Sequence, residues 1–360
     1  MATRRIIGRV EAISPKLDRA PDLFLAAAPA MPMVHFDTAE TAGIDPANPR
    51  SPTYIEVLDE ARRAMLPVYV EVDDVTNKIT ELHIPLVVQV LGLVPQANGD
   101  LTVELEVSQS EHRLPRGSDR FEEILAILRA ALDGGQSVVV VENDRHEILD
   151  AKIAPHPTVG RDVLLRAPLA AQLLAPGGTV TPQRAGELFD LVSAQTCDPR
   201  TVPPPCIPFL YPDDGCWGRA HQMCRLMISA GAGPGKVWIY GRLTVDTRNN
   251  PVCSVRWGWH VAPTLRIATA GPAQTVVVDP SLFSKPVPED TWKGVQHDPA
   301  ATLAETDASV FYRSLSGQIV VDADYSQTAQ VLATYRLKLK LRSIGPDGAP
   351  PYAHCPVAVA

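Results

Sequence analysis

The sequence predicts an α+β protein with a mainly β N-terminal half and a C-terminal half in which a helix packs on an antiparallel sheet. Short apolar runs separated by turn residues fill most of residues 1–154. In the second half, apolar residues recur at helical spacing after Cys216 and are followed by strand-like segments rich in Val, Trp and Tyr. With 360 residues, 45% of them hydrophobic, the chain is long enough for two domains.

Several strands are predicted in the N-terminal domain, residues 1–154, at a spacing typical of a small barrel or sandwich. The strand signals are "IIGRVEAI", "LPVYVEVDD", "KITELHIPLVVQVLGLV", "DLTVELEVSQ" and "QSVVVVEND". One helix is predicted from "SDRFEEILAILRAALDGG", with Ser118 or Asp119 as its cap and Gly134 at its end. No catalytic residue types gather in this half, which favours a scaffold or a binding module.

Residues 155–180 mix Pro, Gly and short apolar pieces and are predicted to connect the two domains. The second domain, 181–360, opens with the helix "TPQRAGELFDLVSAQTC", with Thr181 as its cap and Pro182 at the first helical position. The helix that begins near Cys216 stops at "GAGPG". It is followed by the strands "KVWIYGRLTV", "CSVRWGWHVAPTLRIA" and "TVVVDPSLF", and "YRLKLKLRS" alternates like a further strand with solvated charges.

Composition and charge exclude several classes of function. A net charge of −8 and a pI near 5.6 argue against nucleic-acid binding. No stretch approaches the roughly 20 apolar residues of a membrane span, and the N-terminus lacks a secretory signal, so a cytoplasmic location is expected. The cysteines and histidines show no zinc-ligand spacing, so neither a metal nor another cofactor is expected.

Cys216 lies in "YPDDGCWGRAHQM", in or just before the first turn of its helix, with Asp213 or Asp214 near the cap position. Backbone N–H groups at a helix start stabilise an anion, which lowers the pKa of a thiol toward the nucleophilic thiolate. A flanking acid opposes this effect, and a buried, inert cysteine is the alternative. His221 is five residues along the helix, about 140° around its axis, so it is expected to point away and to lie at the surface or core edge.

His260 is the better candidate for a base, although by itself it also fits a structural histidine. In "CSVRWGWHVAP", strand alternation places Trp257 and Trp259 on one side and Gly258 and His260 on the other. Gly258 leaves space beside the imidazole for a substrate or another side chain. Asp279 ends the apolar strand "TVVVD", where a buried carboxylate needs a partner. The order nucleophile, base and orienting acid suits Cys-His-Asp acyl transfer.

Five segments resemble the bacterial protein-glutaminase family in order and spacing, over roughly residues 185–315. They are "PCIPFLYPDDGCWGRAHQM", "KVWIYGRL", "CSVRWGWHVA", "VVVDPSLFSKPVPEDTWK" and "SVFYRS". The resemblance places the family's catalytic cysteine, histidine and aspartate on Cys216, His260 and Asp279, and implies a papain/transglutaminase-like fold for the second domain. It also implies a short-range disulfide between Cys197 and Cys206.

The activity implied by the resemblance is deamidation of glutamine side chains in proteins or peptides, through a thioester on Cys216. The backbone N–H of Cys216 is the natural oxyanion donor, and a second donor is not identified. Trp217 and Trp259, with Gly258, are candidates for the glutamine-binding slot, although core packing is the alternative role for Trp257 and Trp259. The expected partner is a protein or peptide substrate, with no nucleic acid and no membrane.

Two other functions stay open at this point. The same thioester could pass to an amine, as in transglutaminase-like amide formation, or the second domain could be a catalytically idle interaction module. Residues 1–154 could inhibit, recruit substrate or be an unrelated fusion. The resembled family is secreted, so export by another route is an alternative to the cytoplasm, and the redox state of Cys197 and Cys206 depends on the outcome. The oligomeric state and the physiological substrate are not predicted.

Overall fold

The computed structural model describes residues 2–15, 31–154, 178–198 and 205–356, and its helices and antiparallel sheets give the predicted α+β class. Most of the predicted connection over 155–180 lies outside the described residues. Among those that are described, no helix combines the length and apolar character needed to cross a membrane.

The chain forms two compact units, and neither is a continuous stretch of the sequence. The first comprises Met1–Glu106, His112–His156 and Leu337–Ala349, and the second comprises Val107–Glu111, Pro157–Arg336 and Pro350–Ala360. The sequence predicted consecutive domains, 1–154 and 181–360, and did not anticipate this discontinuity. Local patterns identify an element but do not show which core it joins.

The first unit contains two five-stranded antiparallel sheets. One has the order β3-β2-β1-β4-β5 and the other the order β10-β9-β6-β7-β8. The strands of the first sheet are β1 (Thr3–Ser14), β2 (Met33–Phe36), β3 (Thr41–Gly43), β4 (Pro67–Asp73) and β5 (Ile79–His83). Those of the second are β6 (Leu86–Pro95), β7 (Leu101–Leu105), β8 (His112–Leu114), β9 (Ser137–Glu142) and β10 (Ile148–Ile153).

Two helices of the first unit differ from the sequence prediction. Helix α1 (Ser51–Arg63) was missed, although Pro52 stands in its first turn and an apolar face packs on β1 and β4. Helix α2 (Phe121–Gly134) was predicted, but its N-cap is Arg120, with no side-chain cap from Ser118 or Asp119. The chain leaves α2 through Gly135 at φ 60°, a left-handed conformation that glycine adopts without strain.

The second unit is built on a five-stranded antiparallel sheet of order β14-β13-β12-β11-β15, with a separate β16–β17 hairpin. Its strands are β11 (Gly235–Asp246), β12 (Ser254–Ile267), β13 (Gln274–Val277), β14 (Val287–Pro288), β15 (Thr302–Asp307), β16 (Val310–Arg313) and β17 (Ile319–Val321). Its helices are α3 (Pro182–Ser193), α4 (Cys216–Ser229) and α5 (Glu289–Gly294). Helix α4 packs on β12 and α3 packs on α4, and Thr181 caps α3 as predicted, accepting from Arg184 N.

The last helix, α6 (Ser326–Ser343), corrects the prediction of a strand in "YRLKLKLRS". Two of the four charges expected on a solvated strand face are buried and paired within the first unit: Lys338 Nζ lies 2.7 Å from Glu142 Oε1, and Arg342 Nε lies 2.9 Å from Asp144 Oδ1. Because both polar and apolar side chains are buried, the alternation of the sequence does not mark an exposed face.

Candidate active site

Cys216 is the first residue of α4 and is 1% exposed. The N-cap is Gly215, at φ 82°, and a Cβ there would come within 2.3 Å of the Tyr335 ring. Only glycine fits this position, because it needs both a left-handed backbone and the absence of a side chain. Asp213 and Asp214, expected near the cap position, directly precede this N-cap residue, and no side chain caps the helix.

His260 and Asp279 meet as a buried pair. Nε2 of His260 lies 2.8 Å from Oδ2 of Asp279, and Trp292 Nε1 donates to the same oxygen at 2.9 Å. The imidazole stacks against Trp257, at 4.4 Å between ring centroids, and against Trp292, at 5.5 Å. Burial alone would raise the pKa of Asp279, but His260 and the Trp292 hydrogen bond hold it below its ordinary value.

The stacking of Trp257 on His260 contradicts the prediction that these residues point to opposite sides of β12. The register between β11 and β12 shifts between Tyr240 and Leu243, where three steps of β11 match two steps of β12. A bulge of this kind interrupts strict alternation, which a period-two reading of "VRWGWH" assumes throughout.

Cys216 and His260 are brought to the same place by α4 and β12. The backbone N–H of Val261, the residue after His260, donates a hydrogen bond to the Cys216 sulfur. Nδ1 of His260 is buried and has no hydrogen-bond partner among the residues that the structure describes. This nitrogen is therefore free to accept a proton, while Nε2 is held by Asp279.

Burial raises the pKa of the Cys216 thiol well above its ordinary value, and the neighbouring Asp214 and Asp279 act in the same direction. Arg219 and the Val261 amide oppose this but do not overcome it. The sequence predicted a lowered pKa from the helix start. Desolvation is the larger effect here, because the sulfur lies in a site closed to solvent.

Gln109 is bound at Cys216 and helps to shield the sulfur from solvent. No sequence pattern indicated this residue. Its side-chain oxygen, Oε1, accepts a hydrogen bond from Cys216 N at 3.0 Å, and its Nε2 donates to the carbonyl oxygen of Pro212 at 3.3 Å. Gln109 is 1% exposed. The backbone N–H of Cys216, which was predicted to stabilise a developing oxyanion, thus donates to the oxygen of a glutamine carboxamide.

The backbone around Gln109 is held as an added strand segment beside β12. Gly258 N donates to Gln109 O at 2.9 Å, Glu111 N donates to Arg256 O at 3.4 Å, and Ser110 forms an antiparallel bridge with Trp257. These contacts have the pattern of β-augmentation, in which an extended peptide adds to a strand and presents its side chains to pockets.

Asp214 anchors the same segment from the other side. Its Oδ1 accepts from the backbone N–H groups of Gln109, at 3.0 Å, and Gly215, at 2.9 Å. Its Oδ2 accepts from the hydroxyls of Ser108 and Tyr335, both at 2.6 Å. With four donors, this fully buried carboxylate fixes Gln109 and the start of α4 relative to each other.

The predicted substrate-binding residues lie along this segment. The rings of Trp217 and Trp259 are 5.8 Å apart, and Trp259 Nε1 donates to Ser108 O at 3.1 Å. A Cβ on Gly258 would meet nothing within 4 Å, and the backbone N–H of Gly258 holds Gln109. These positions surround a glutamine-bearing peptide strand.

His221, expected at the surface or the core edge, is buried, with 2% of it exposed. Its Nδ1 accepts from Lys236 Nζ at 2.9 Å and its Nε2 donates to Asp322 O at 3.3 Å. Burial, together with the Lys236 charge, lowers the pKa of His221 to about 3, so the ring is neutral at physiological pH. These contacts give it a structural role away from the thiol.

Four cysteines form disulfides in the second unit. One joins Cys197 to Cys206, the pair that the resemblance implied, and a second joins Cys253 to Cys355. The second pair was not predicted, because its members are separated by 102 positions. Cys216 and Cys224 are free thiols.

One group of side chains in the first unit has the composition of a metal site. Atoms of His112, Glu142 and His146 lie within 4.8 Å of one another. Lys338 Nζ already pairs with this carboxylate at 2.7 Å, so a cation is in place and the group is a buried ion cluster. The residues converge from different elements, which spacing in the sequence does not reveal.

Two residues of the candidate site were missed for different reasons. Trp292 falls within the quoted motif "PVPEDTWK", so a signal was available, but its contact with Asp279 depends on the position of α5. Gln109 carried no signal of its own, because a single polar residue after a strand is a common surface feature.

Comparison with known proteins identifies relatives of one kind. A family model described as a glutaminase matches residues 185–296. A crystal structure of pro-protein-glutaminase is 25% identical to this chain, and the match covers 76% of this chain and 99% of that one, with a TM-score of 0.54. A mutant of pro-protein-glutaminase is 26% identical, and the match covers 75% of this chain and 97% of that one, with a TM-score of 0.53. A crystal structure of protein-glutaminase is 30% identical over 50% of this chain and 99% of its own, with a TM-score of 0.39. No curated protein sequence matches.

Proposed function

We propose that this chain, which belongs to the protein-glutaminase family and is a hydrolase of amide C–N bonds, deamidates glutamine side chains of proteins or peptides through a thioester on Cys216. The observation that carries the proposal is the glutamine carboxamide held by Cys216 N at 3.0 Å, beside the buried pair His260–Asp279. The site thus already binds the functional group that the reaction consumes.

In the proposed mechanism, Nδ1 of His260 takes the proton of the Cys216 thiol, and the resulting thiolate attacks the side-chain carbonyl carbon of the substrate. The oxygen of that carbonyl becomes negative and is stabilised by Cys216 N–H. The imidazolium then protonates the leaving ammonia. Water, activated by the same nitrogen, hydrolyses the thioester to glutamate.

Asp279 and the two stacked indoles position the imidazole for these steps. Asp279 accepts from Nε2, which leaves Nδ1 as the nitrogen available to take the thiol proton, and it stabilises the imidazolium that forms. The flat rings of Trp257 and Trp292 restrict rotation of the imidazole. The raised pKa of Cys216 keeps the thiol protonated until its proton moves to the imidazole.

The substrate peptide is proposed to bind as Ser108–Gln109–Ser110 does. Its backbone would pair with Gly258, and its glutamine would pass between the sheet and the indoles of Trp217 and Trp259. A papain/transglutaminase-like arrangement of α4 on the sheet and a catalytic domain over 181–360 are part of this proposal.

The two disulfides favour an oxidising compartment as the place of action. We therefore propose export, against the cytoplasmic location expected from the N-terminus. Counting the thiols of protein recovered from its native source tests the proposed export. If the four disulfide cysteines react as thiols in addition to the two free cysteines, the proposal is contradicted.

Ammonia release from a glutamine-containing peptide tests the proposed function. Cys216→Ser is expected to abolish release, whereas Cys224→Ser, at the other free and buried cysteine of the same helix, is expected to retain it. Addition of a primary amine distinguishes hydrolysis from acyl transfer, because transfer yields a peptide–amine adduct. Equal activity of Cys216→Ser and the wild type would refute the nucleophile.

A further inference from the structure

We infer that Gln109 is the first substrate of this site: Cys216 deamidates the chain's own Gln109 to glutamate, and the product carboxylate leaves the pocket and opens it. This inference rests on the proposed function and adds a modification site and a self-activation step to it. It follows from how Gln109 is held, from the groups that surround it and from what changes when its amide becomes an acid.

Gln109 is placed as a reactant rather than as a passive plug. Its carbonyl oxygen accepts from Cys216 N, so its Cδ lies next to the residue that carries the nucleophile. Its Nε2, which would leave as ammonia, donates to Pro212 O at 3.3 Å. His260 is 1% exposed, and its buried, unpartnered Nδ1 is the proton acceptor and donor that the step needs.

The backbone fixes the approach of this side chain. The main-chain N–H of Gln109 is bound by Asp214 and its carbonyl by Gly258 N, so both ends of the residue are held while the side chain enters the site. Val107, which precedes the segment, has φ 65°, and a β-branched residue rarely adopts that conformation. The chain is strained where it turns into the site, as expected of a segment held in place by the contacts beyond it.

The covalent step balances with water as the only co-reactant. The Cys216 sulfur forms a bond to Cδ of Gln109 as its proton passes to His260, and the Cδ–Nε2 bond breaks as that proton goes to the departing ammonia. Water then attacks Cδ, its proton passes through His260 to the sulfur, and the S–Cδ bond breaks. In sum, Gln109 and one water molecule give a glutamate side chain at position 109 and one ammonia.

The product is unsuited to the pocket that held the reactant. A carboxylate has no N–H to donate to Pro212 O, so two acceptors face each other where a hydrogen bond was. The new negative charge is also fully buried and lies near the carboxylates of Asp214 and Asp279. An unpaired buried charge is unfavourable, which drives residue 109 out of the site and gives an external glutamine access.

Peptide mapping of the full chain tests the modification. Trypsin cleaves after Lys78 and Arg113, so Gln109 falls in one peptide with Gln89 and Gln96, which act as internal controls. Fragment spectra are needed to localise the mass change, because the Asn98–Gly99 pair in the same peptide deamidates spontaneously. We expect glutamate at 109 in the wild type, with glutamine kept at the two control positions.

The same peptide from the Cys216→Ala and Cys216→Ser variants is expected to keep glutamine at 109. A variant chain incubated with wild-type enzyme is also expected to keep it, because the reaction is intramolecular. Glutamate at 109 in the variant chain, either alone or after the variant chain has been incubated with and separated from the wild-type enzyme, overturns the inference. A wild-type chain that deamidates an added peptide but keeps glutamine at 109 also overturns the inference, although the proposed function is then unaffected. Loss of both reactions contradicts both.

Two substitutions at 109 test the release step without touching the catalytic groups. Gln109→Glu supplies the product directly, and we expect it to match the wild type in deamidating an added peptide. Gln109→Met has a similar length but no hydrolysable amide and no charge, so it is expected to stay in the pocket and to lose activity on the added peptide. Circular dichroism checks that both fold, and equal activity of the two variants overturns release by charge.

Discussion

Substitution of Trp292 by phenylalanine tests how the imidazole pair is stabilised. The indole N–H donates to Oδ2 of Asp279 at 2.9 Å, the same oxygen that faces His260 Nε2. Phenylalanine keeps a flat ring beside the imidazole, removes this donor and leaves a small cavity, because the phenyl ring is smaller than the indole and the site is fully buried. The change therefore separates the hydrogen bond from the stacking contact.

The expected magnitude follows from the charge on the acceptor. A hydrogen bond to an ionised group contributes about 1.5–3 kcal/mol, and loss of this one raises the pKa of Asp279 because the bond favours the charged form. Because the folded-state pKa of Asp279 lies below its ordinary value, its contribution to stability is present above the unfolded-state pKa and is lost as pH falls. Trp292→Phe raises that pKa and removes part of this contribution.

Urea unfolding across a pH series measures the effect. Beyond the cavity cost that it shares with Trp238→Phe, Trp292→Phe is expected to lower the free energy of unfolding by about 1.5–3 kcal/mol at neutral pH. This additional deficit is expected to shrink below about pH 5 as Asp279 protonates in the variant and then in the wild type. Trp238→Phe is the matched control, because its indole donates to a neutral group, Thr306 Oγ1, at 2.9 Å. Its deficit should not vary with pH. A pH-independent deficit in Trp292→Phe would refute the reasoning.

Three further changes have definite expected outcomes. Asp279→Asn is expected to lower the rate of ammonia release by about 10⁴, as the loss of an orienting carboxylate does, and a loss below tenfold would contradict its role. Gly215→Ala is expected to lower the melting temperature and the activity, because it adds a Cβ at positive φ, whereas Gly258→Ala, with open space, should change the melting temperature little. Glu142→Gln is expected to destabilise the first unit by about 3–5 kcal/mol in urea, since it leaves the buried Lys338 charge unpaired; an unchanged midpoint would contradict this.

The elements of the second unit were predictable where one local pattern decided them. The start of α4 at Cys216 and the strands before and after His260 follow from helical spacing and from β-rich composition. The last helix, α6, was read as a strand because its Leu and Lys residues alternate with the period of two that is typical of a strand. Pairing of its buried charges with residues far away in the chain is what favours the helix, and no local window contains that information.

The sequence was sufficient to propose Cys216, His260 and Asp279 for the candidate site, but not the residues that pack around them. Cys216, His260 and Asp279 could be proposed because a nucleophile, a base and an acid each stand at the end or on the face of a recognisable element. Trp257 was placed on the wrong side of its strand because a bulge in β11 is invisible to a period-two pattern. Gln109 could not be found, because its role depends on where the segment Val107–Glu111 is held, and residues distant in the chain decide that.

The state of Cys216 shows why that segment matters for reactivity. A helix start favours a thiolate by at most about 2 kcal/mol, and this supported a lowered pKa from the sequence. Gln109, which is 107 positions away in the sequence, is bound at Cys216, and burial raises the pKa of the Cys216 thiol instead. The residue proposed as the first substrate therefore also keeps the nucleophile protonated. Once residue 109 leaves, water reaches the sulfur, the burial that raised the pKa diminishes, and the helix start and His260 act on a thiol that external glutamine can reach.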